Sequence, residues 1–444
     1  MSILERRGFL VGFGTLVFFT GFAADAWRNS ISWYGYGAVI AAVVATSVVL
    51  IVVHRRDINF IAIPVPLVLF LLLAALSISW SYYPGASAIG VFAQIITTLG
   101  ALTTALVLTR SELIRAMGLA LRIILAGSLL FELWVSLVVR APVLPVWVTP
   151  DDRVDPPKLL YWSRNLLLEG DKIQGIVGSS SLLAMAALLG LIVFGVQVAS
   201  KQTRMIPGIL WMALAVLLIG LTGSATIYLG LVAVVVVLVA ILLVRRARTP
   251  QIRRTTYASI ALSLVVLVSG AVLLRGPLLG VLGKNETLTG RLDIWNAVIA
   301  LAQERPVAGW GWISFWAPWV EPFNDLVTKA GVVQLHAHNA WLDIWLQLGI
   351  IGLVVFGIFV AATAVRSWLL ATDRVRVVPG DSGFFEASSL LAPLLLTALL
   401  VQSLAESRLL IEGGWILLVV LATTTKLGLL GAETPQKLSA RRMA

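Results

Sequence analysis

Apolar residues in this chain arrive in unbroken runs of about 18 or more, separated by short charged stretches, and this pattern limits what the chain can fold into. A bilayer core about 30 Å thick is crossed by roughly 20 apolar residues in a helix. Lipid offers no partner to backbone polar groups, so each crossing segment must bond its own, as a helix does. A membrane β-barrel would alternate apolar and polar residues, whereas these runs are continuous. Only 12% of the 444 residues are charged and 59% are hydrophobic, against roughly 25% charged in a soluble domain. With no cysteine, disulfides, thiolate nucleophiles and Cys–metal sites are excluded.

Spans are expected at about 9–25, 35–53, 60–79, 87–108, 116–138, 176–198, 206–221, 225–244, 256–275, 338–363, 387–405 and 414–430. The expected fold is an all-α polytopic membrane protein of about twelve transmembrane helices, a single membrane domain over residues 1–444. One set of connections holds Arg6, Arg7, His54, Arg55, Arg56, Arg110, Arg115, Lys201, Arg204, Arg245, Arg246, Arg248, Arg253 and Arg254. It continues with Arg366, Arg374, Arg376, Lys437, Arg441 and Arg442. The short connections of the other set hold only Arg28 and Arg408. Basic loops stay inside, so both termini are expected in the cytoplasm, in a multi-pass protein of the plasma (inner) membrane. The net charge of +11 reads as this orientation charge rather than a nucleic-acid surface. The first run follows Arg6 and Arg7 like a signal peptide, but without a convincing small-residue cleavage site it reads as a retained helix.

Two outer connections are long, at 139–175 and 276–337. Most connections are short, so long ones need a reason. Within the second, Leu288–Glu304 reads as an amphipathic helix, with Ile294, Val298 and Leu301 at helical spacing. Thr289-Gly290 can open it and Arg305-Pro306 closes it. Val307–Gly311 reads as a flexible turn. Trp310, Trp312, Phe315, Trp316 and Trp319 crowd the next ten residues, and an interfacial aromatic belt is the favoured reading over stacking on sugars.

Polar residues at membrane depth are functional candidates. Arg122 is expected to snorkel to the cytoplasmic end of its span. Glu132 either pairs with an outer-face base or serves helix packing. The outer face gathers Arg140, Lys158, Lys172, Arg275, Arg291 and Arg408, with His336 and His338. Asn339 is a good N-cap where span ten begins. A helix N-terminus disfavours nearby positive charge, so His338 is expected to be neutral, as a general base must be. It also offers free N–H groups to an anion, and Arg291 stands at a second helix start. A guanidinium, two helix N-termini and an imidazole suit a diphosphate leaving group and a hydroxyl that must lose its proton. The plainer alternatives are a capping or interfacial role for His338 and a first-turn charge pair for Arg291 with Asp293. His336-Ala337-His338 lacks the carboxylate spacing of a metal site, so no metal is expected.

Four stretches resemble the O-antigen ligase and polymerase family of polytopic membrane glycosyltransferases, including its exopolysaccharide-production branch. They are Ser79-Trp80-Ser81-Tyr82-Tyr83-Pro84, then Gly290-Arg291-Leu292-Asp293-Ile294-Trp295 followed by Arg305–Gly311. The third is His336–Asp343 running into Leu348–Gly352, and the fourth is Glu406-Ser407-Arg408-Leu409-Leu410. The resemblance implies transfer of a glycan from a polyprenyl (undecaprenyl) diphosphate carrier to a hydroxyl on a lipid or glycan acceptor, at the outer face of the membrane. It implies no cofactor, no metal and no nucleic-acid partner. The family's loop arginine falls on Arg291 and its loop histidine on His338. Its Arg-rich, Asn-containing stretch before span six falls on Asp171–Ser181, where Lys172 stands for an arginine and the asparagine is missing. Lysine meets phosphate as a point charge, not as a fork.

The resulting expectation is an inverting glycosyltransferase of O-antigen ligase type. His338 and Arg291 would be catalytic, Arg291, Lys172 and Arg408 would hold the diphosphate, and Gln174, Asp293, Asn339 and His336 would support them. The alternatives are a polysaccharide polymerase of the same family, a twelve-span transporter or flippase, or a membrane scaffold. A transporter built from two related halves would show matching features in both, and the sequence shows no internal repeat.

Overall fold

The computed structural model describes residues 3–149, 156–273, 291–324, 326–329, 332–373 and 385–431. Arg275, Thr289-Gly290, Arg374, Arg376, Lys437, Arg441 and Arg442 lie outside the described residues.

The apolar runs become helices: α1 (Arg7–Phe22), α2 (Ala24–His54), α3 (Val65–Leu76), α4 (Pro84–Val107), α5 (Arg110–Trp134), α6 (Ser180–Ala199), α7 (Met205–Thr222), α8 (Ala225–Arg246) and α9 (Pro250–Leu273). The amphipathic helix α10 (Arg291–Glu304) follows, then α11 (Ala340–Thr372), α12 (Leu391–Ser403) and α13 (Glu412–Leu429). A two-residue hairpin, β1 (Thr328–Lys329) against β2 (Val332–Val333), pairs Thr328 with Val333. Among the described residues, eight helices are long and apolar enough to cross a membrane. Arg7–Phe22, Val65–Ser79 and Ala387–Ser403 are shorter apolar helices. The chain is a polytopic helical membrane protein.

Local chemistry places the ends. Thr109 and Glu112 form a reciprocal capping box at the start of α5. Gly223, at φ +54°, stops α7 in the left-handed region. The centre is α13 with α6: Trp415, Leu417, Leu418, Val419 and Val420 are fully buried, as are Leu188 and Phe194. Leu229, Val232 and Val235 of α8 are exposed, as apolar side chains facing acyl chains would be.

Two readings of the long loop need correction. Val307–Gly311 is not a free turn. The helix α11 breaks at Gly349, which adopts φ +64° and ψ −164°, and Pro306–Gly311 docks into the break. Trp310 and Gly311 donate their N–H groups to Leu346 and Gln347 at 3.0 and 2.9 Å, and Ile350 and Ile351 donate back to Pro306 and Val307 at 2.9 and 3.2 Å. Irregular backbone at membrane depth is tolerated where protein satisfies it. A Cβ on Gly349 would lie 2.1 Å from the Val307 carbonyl oxygen, and one on Gly309 2.5 Å from the Gln347 backbone.

The tryptophan cluster is core, not an interfacial belt. Trp312 and Trp316 are fully buried and Trp310 nearly so. Trp312 meets Phe70 edge-on at 5.3 Å, and Trp316 stacks on Phe323 at 5.3 Å. Only Trp319 of the four tryptophans is strongly exposed, at 76%. Burial of the large rings against spans three, ten and twelve anchors the loop to the bundle.

Candidate functional site

The segment before α11 turns sharply at His338, whose φ is +50°. A non-glycine residue in this region carries strain of about 1–2 kcal/mol, and such strain gathers at functional sites. Three contacts hold the turn. The His338 N–H donates to His336 Nδ1 at 3.1 Å. The buried Asp343, in the first turn of α11, accepts the Ala337 N–H at 3.1 Å and the Trp316 indole N–H at 2.8 Å. Trp295 of α10 donates its indole N–H to the Ala337 carbonyl at 3.1 Å. The Trp316 ring therefore braces the histidine turn through Asp343.

Glu406, at the start of a short 3-10 turn, Ser407–Leu410, joins the two expected catalytic residues. Its Oε1 lies 2.9 Å from an Arg291 Nη, and its Oε2 lies 3.1 Å from His338 Nδ1. The glutamate side chain is 10% exposed, Arg291 25% and His338 23%. Burial pushes the Glu406 carboxyl up, but the hydrogen bond and charge of His338 and the charge of Arg291 outweigh it and hold the group down at about 2. Burial, reinforced by the adjacent His338, holds His336 well below the usual imidazole range, so it is neutral at pH 7. In the neutral form that donates Nδ1–H to Glu406, His338 carries its lone pair on Nε2. Gln334 Oε1 lies 3.2 Å from that nitrogen. Turning the Gln334 amide over presents an N–H donor to the lone pair instead.

Arg291 also faces a cavity of about 560 Å³, where Lys172, Ser181, Thr222, Ser224 and Glu406 are among its neighbours. Two helices begin on it. The N-cap residues Ser179 of α6 and Ser224 of α8 make no side-chain cap, leaving first-turn N–H groups for a ligand. Lys172 lies across Gly223, whose Cβ, if present, would meet Lys172 Cε at 3.3 Å. Lys172 and Arg291 against Glu406 leave one net positive charge, augmented by the two helix dipoles. Such a cradle can bind an oxyanion of high charge.

The other expected residues divide. Asn339 caps α11, accepting the Trp341 and Leu342 N–H groups at 3.0 and 3.2 Å. That cap occupies donors that the sequence reading assigned to an anion, and α6 and α8 supply uncapped starts instead. Arg291 turns to Glu406, while Asp293 is exposed. Arg408 pairs with Glu412, which also holds Arg28 at 2.9 Å. It lines a separate cavity, which shares Gln402 with the cradle. Gln174 is a loop brace: its amide bonds Arg164 Nε at 3.2 Å and the Gly178 carbonyl at 3.3 Å. Glu132 anchors the same loop, accepting the Gln174 and Gly175 N–H groups at 3.0 and 2.7 Å and the Ser163 hydroxyl at 2.9 Å. It holds the loop and pairs with no base among the described residues.

Glu406 and Asp343 are the functional candidates that the sequence reading did not single out. Both stood within quoted stretches, and the available signal was a lone carboxylate beside a span end on a basic face. His336, His338 and Glu406 put three possible metal ligands within 4.8 Å of one another. In this structure both oxygens of that carboxylate are already engaged, Oε1 by Arg291 and Oε2 by His338.

The O-antigen ligase family model matches residues 210–357, which include Arg291 and His338. The exopolysaccharide production protein ExoQ of Rhizobium meliloti (strain 1021) is 31% identical over 86 residues, covering 17% of this chain and 18% of that protein. The match thus spans less than a fifth of the relative's length. Residues 210–357 are therefore similar to an O-antigen ligase domain, and part of the chain is similar to a protein of exopolysaccharide production.

Proposed function

We propose that this protein processes glycans at the membrane by transferring one from a polyprenyl diphosphate carrier to an acceptor hydroxyl, with inversion at the sugar carbon. The observation that carries the reading is Glu406, one carboxylate gripping both Arg291 and His338 beside a cationic cradle. The family match over the same two residues supports it. The basic connections argue that this end of the bundle faces outward.

In this mechanism the diphosphate sits between Lys172, Arg291 and the starts of α6 and α8. The acceptor oxygen attacks the anomeric carbon from the face opposite the diphosphate. The carbon–oxygen bond to the carrier breaks, and its electron pair leaves on the diphosphate, where the cradle neutralises the added charge. His338 Nε2 takes the hydroxyl proton. Glu406 fixes the tautomer and stabilises the imidazolium that forms. Arg291 has five N–H donors and needs only one for Glu406, so others remain for the phosphate oxygens.

Arg291→Lys tests the cradle. Lysine keeps the charge but loses the fork. Losing one charge-assisted hydrogen bond, about 1.5–3 kcal/mol, is expected to raise the donor KM about 10- to 100-fold. Steady-state kinetics with varied donor measures this. An unchanged donor KM would remove Arg291 from the diphosphate site.

A further inference from the structure

The end of the bundle opposite the site holds a second basic cavity, of about 1380 Å³, between the starts of α1, α5 and α7 and the end of α6. Helix α6 links the two sites, with Ser181 in the cradle at its first turn and Gln197 in this cavity at its last. Their separation along the helix is about 24 Å, at 1.5 Å per residue.

Three guanidinium groups line the cavity, those of Arg7, Arg115 and Arg122, against one carboxylate, Glu112. Glu112 is already engaged: it accepts from Arg7 at 3.2 Å and from the Thr109 N–H and hydroxyl at 2.8 Å each in the capping box. Two cations are left over. Arg122 has no carboxylate partner among the described residues. Its guanidinium donates to Gln197 Oε1 at 2.6 Å and lies over the rings of Phe194 at 5.0 Å and Trp211 at 5.7 Å. Gln197 is itself buried and held by the Ile114 carbonyl at 3.1 Å. The arginine therefore ends in a built pocket rather than in open water. Arg115, one heptad earlier on the same helix face, is exposed and has no hydrogen-bond or ion-pair partner among the described residues.

An arginine within a spanning helix costs several kcal/mol unless a partner compensates it. The missing partner must be anionic. Its setting shows which kind. Leu119 lies in the cavity wall between the two arginines and is 38% exposed, and Ile123, one turn further along the same helix, is more so, as are Met205 and Ile206 at the start of α7. These side chains would face acyl chains, so the cavity's flank belongs to the bilayer and not to the aqueous phase. We propose that this cavity binds the phosphate headgroup of an anionic glycerophospholipid, with Arg115 and Arg122 on the phosphate oxygens and the acyl chains running along Leu119 and Ile123. Basic pockets between spans are a recurring way to hold such headgroups. The inference does not depend on the chemistry at the opposite end.

The test is thermal unfolding of the purified full chain in a neutral detergent, with added phosphatidylglycerol, phosphatidylcholine, glycerol 3-phosphate or inorganic phosphate. Phosphatidylglycerol is expected to raise Tm progressively with concentration, as a ligand of the native state must, and the other three to leave it unmoved. Arg115→Gln, at an exposed position, should fold normally and lose most of that shift, and Arg122→Gln should lose it as well. Equal shifts with phosphatidylcholine, equal shifts with the two water-soluble phosphates, or an undiminished response in Arg115→Gln would each overturn the proposal. Should Arg122→Gln prove unstable, Arg115→Gln decides the question alone.

Discussion

Glu406→Gln is expected to yield a protein that inserts, binds donor as tightly as the native chain, and transfers glycan about 10²- to 10⁴-fold more slowly, the range associated with losing an oriented general base. Glutamine preserves the shape and can accept the His338 Nδ1–H. It cannot stabilise an imidazolium or balance Arg291, both of which Glu406 touches. Removing a negative charge beside Lys172 and Arg291 should not weaken binding of an anionic donor, so the loss should fall on kcat and not on KM. A purely structural role would instead reduce the yield of folded protein and leave the kcat of the remainder intact. The same variant carries a pH signature. The native fold holds the Glu406 carboxyl at about 2, below the ordinary value of 4.5, because the His338 and Arg291 contacts favour its charged form over the penalty of burial. That contribution to stability is present in full above about pH 4.5 and is lost as pH falls towards 2. Unfolding measured across this window should be steeper for the native chain than for Glu406→Gln.

Gly349→Ala should be the most damaging single methyl group among the described glycines. At φ +64° and ψ −164° the residue occupies a region that is essentially restricted to glycine. The added Cβ would fall 2.1 Å from the Val307 oxygen and 2.6 Å from the Ala308 nitrogen, both backbone atoms that no rotamer change can move. Strain at the residue alone is about 1–3 kcal/mol. The clash adds displacement of Pro306–Gly311, and with it the four backbone hydrogen bonds that close the break in α11. We expect a large fall in the amount of folded protein recovered in detergent and a Tm lower by many degrees. Gly357→Ala, at a helical glycine with nothing within 4 Å of its Cβ position, is the control and should change neither. Equal behaviour of the two variants would mean that the docked segment does not depend on the glycine.

The sequence made the spans legible because bilayer thickness imposes a length on apolar runs that no packing detail can hide. It also made Arg291 and His338 legible, through helix starts and the stretches around them. The break at Gly349 was not legible: Leu348-Gly349-Ile350 sits inside an apolar run, and a glycine there reads the same in a continuous helix. The tryptophan cluster misled for a related reason. An interfacial belt and a buried loop core have the same composition, and only the packing of Trp312 on Phe70 distinguishes them. The cationic cavity was half hidden. Lys172 could be named, but the starts of α6 and α8 are 45 residues apart and meet only through helix packing. Glu406 lies 115 residues from Arg291 and 68 from His338, and one acidic residue near a span end carries no mark of its partners.

The central claim is that His338 takes the acceptor's proton while Arg291 holds the carrier's diphosphate. The most direct measurement is release of polyprenyl diphosphate by purified protein given a polyprenyl-diphosphate glycan and candidate hydroxyl acceptors, both lipid and carrier-linked, compared with His338→Ala. The native chain is expected to release carrier only when an acceptor is present, and His338→Ala to bind donor equally well yet release it about 10²- to 10⁴-fold more slowly. Release at the native rate by His338→Ala would contradict the account.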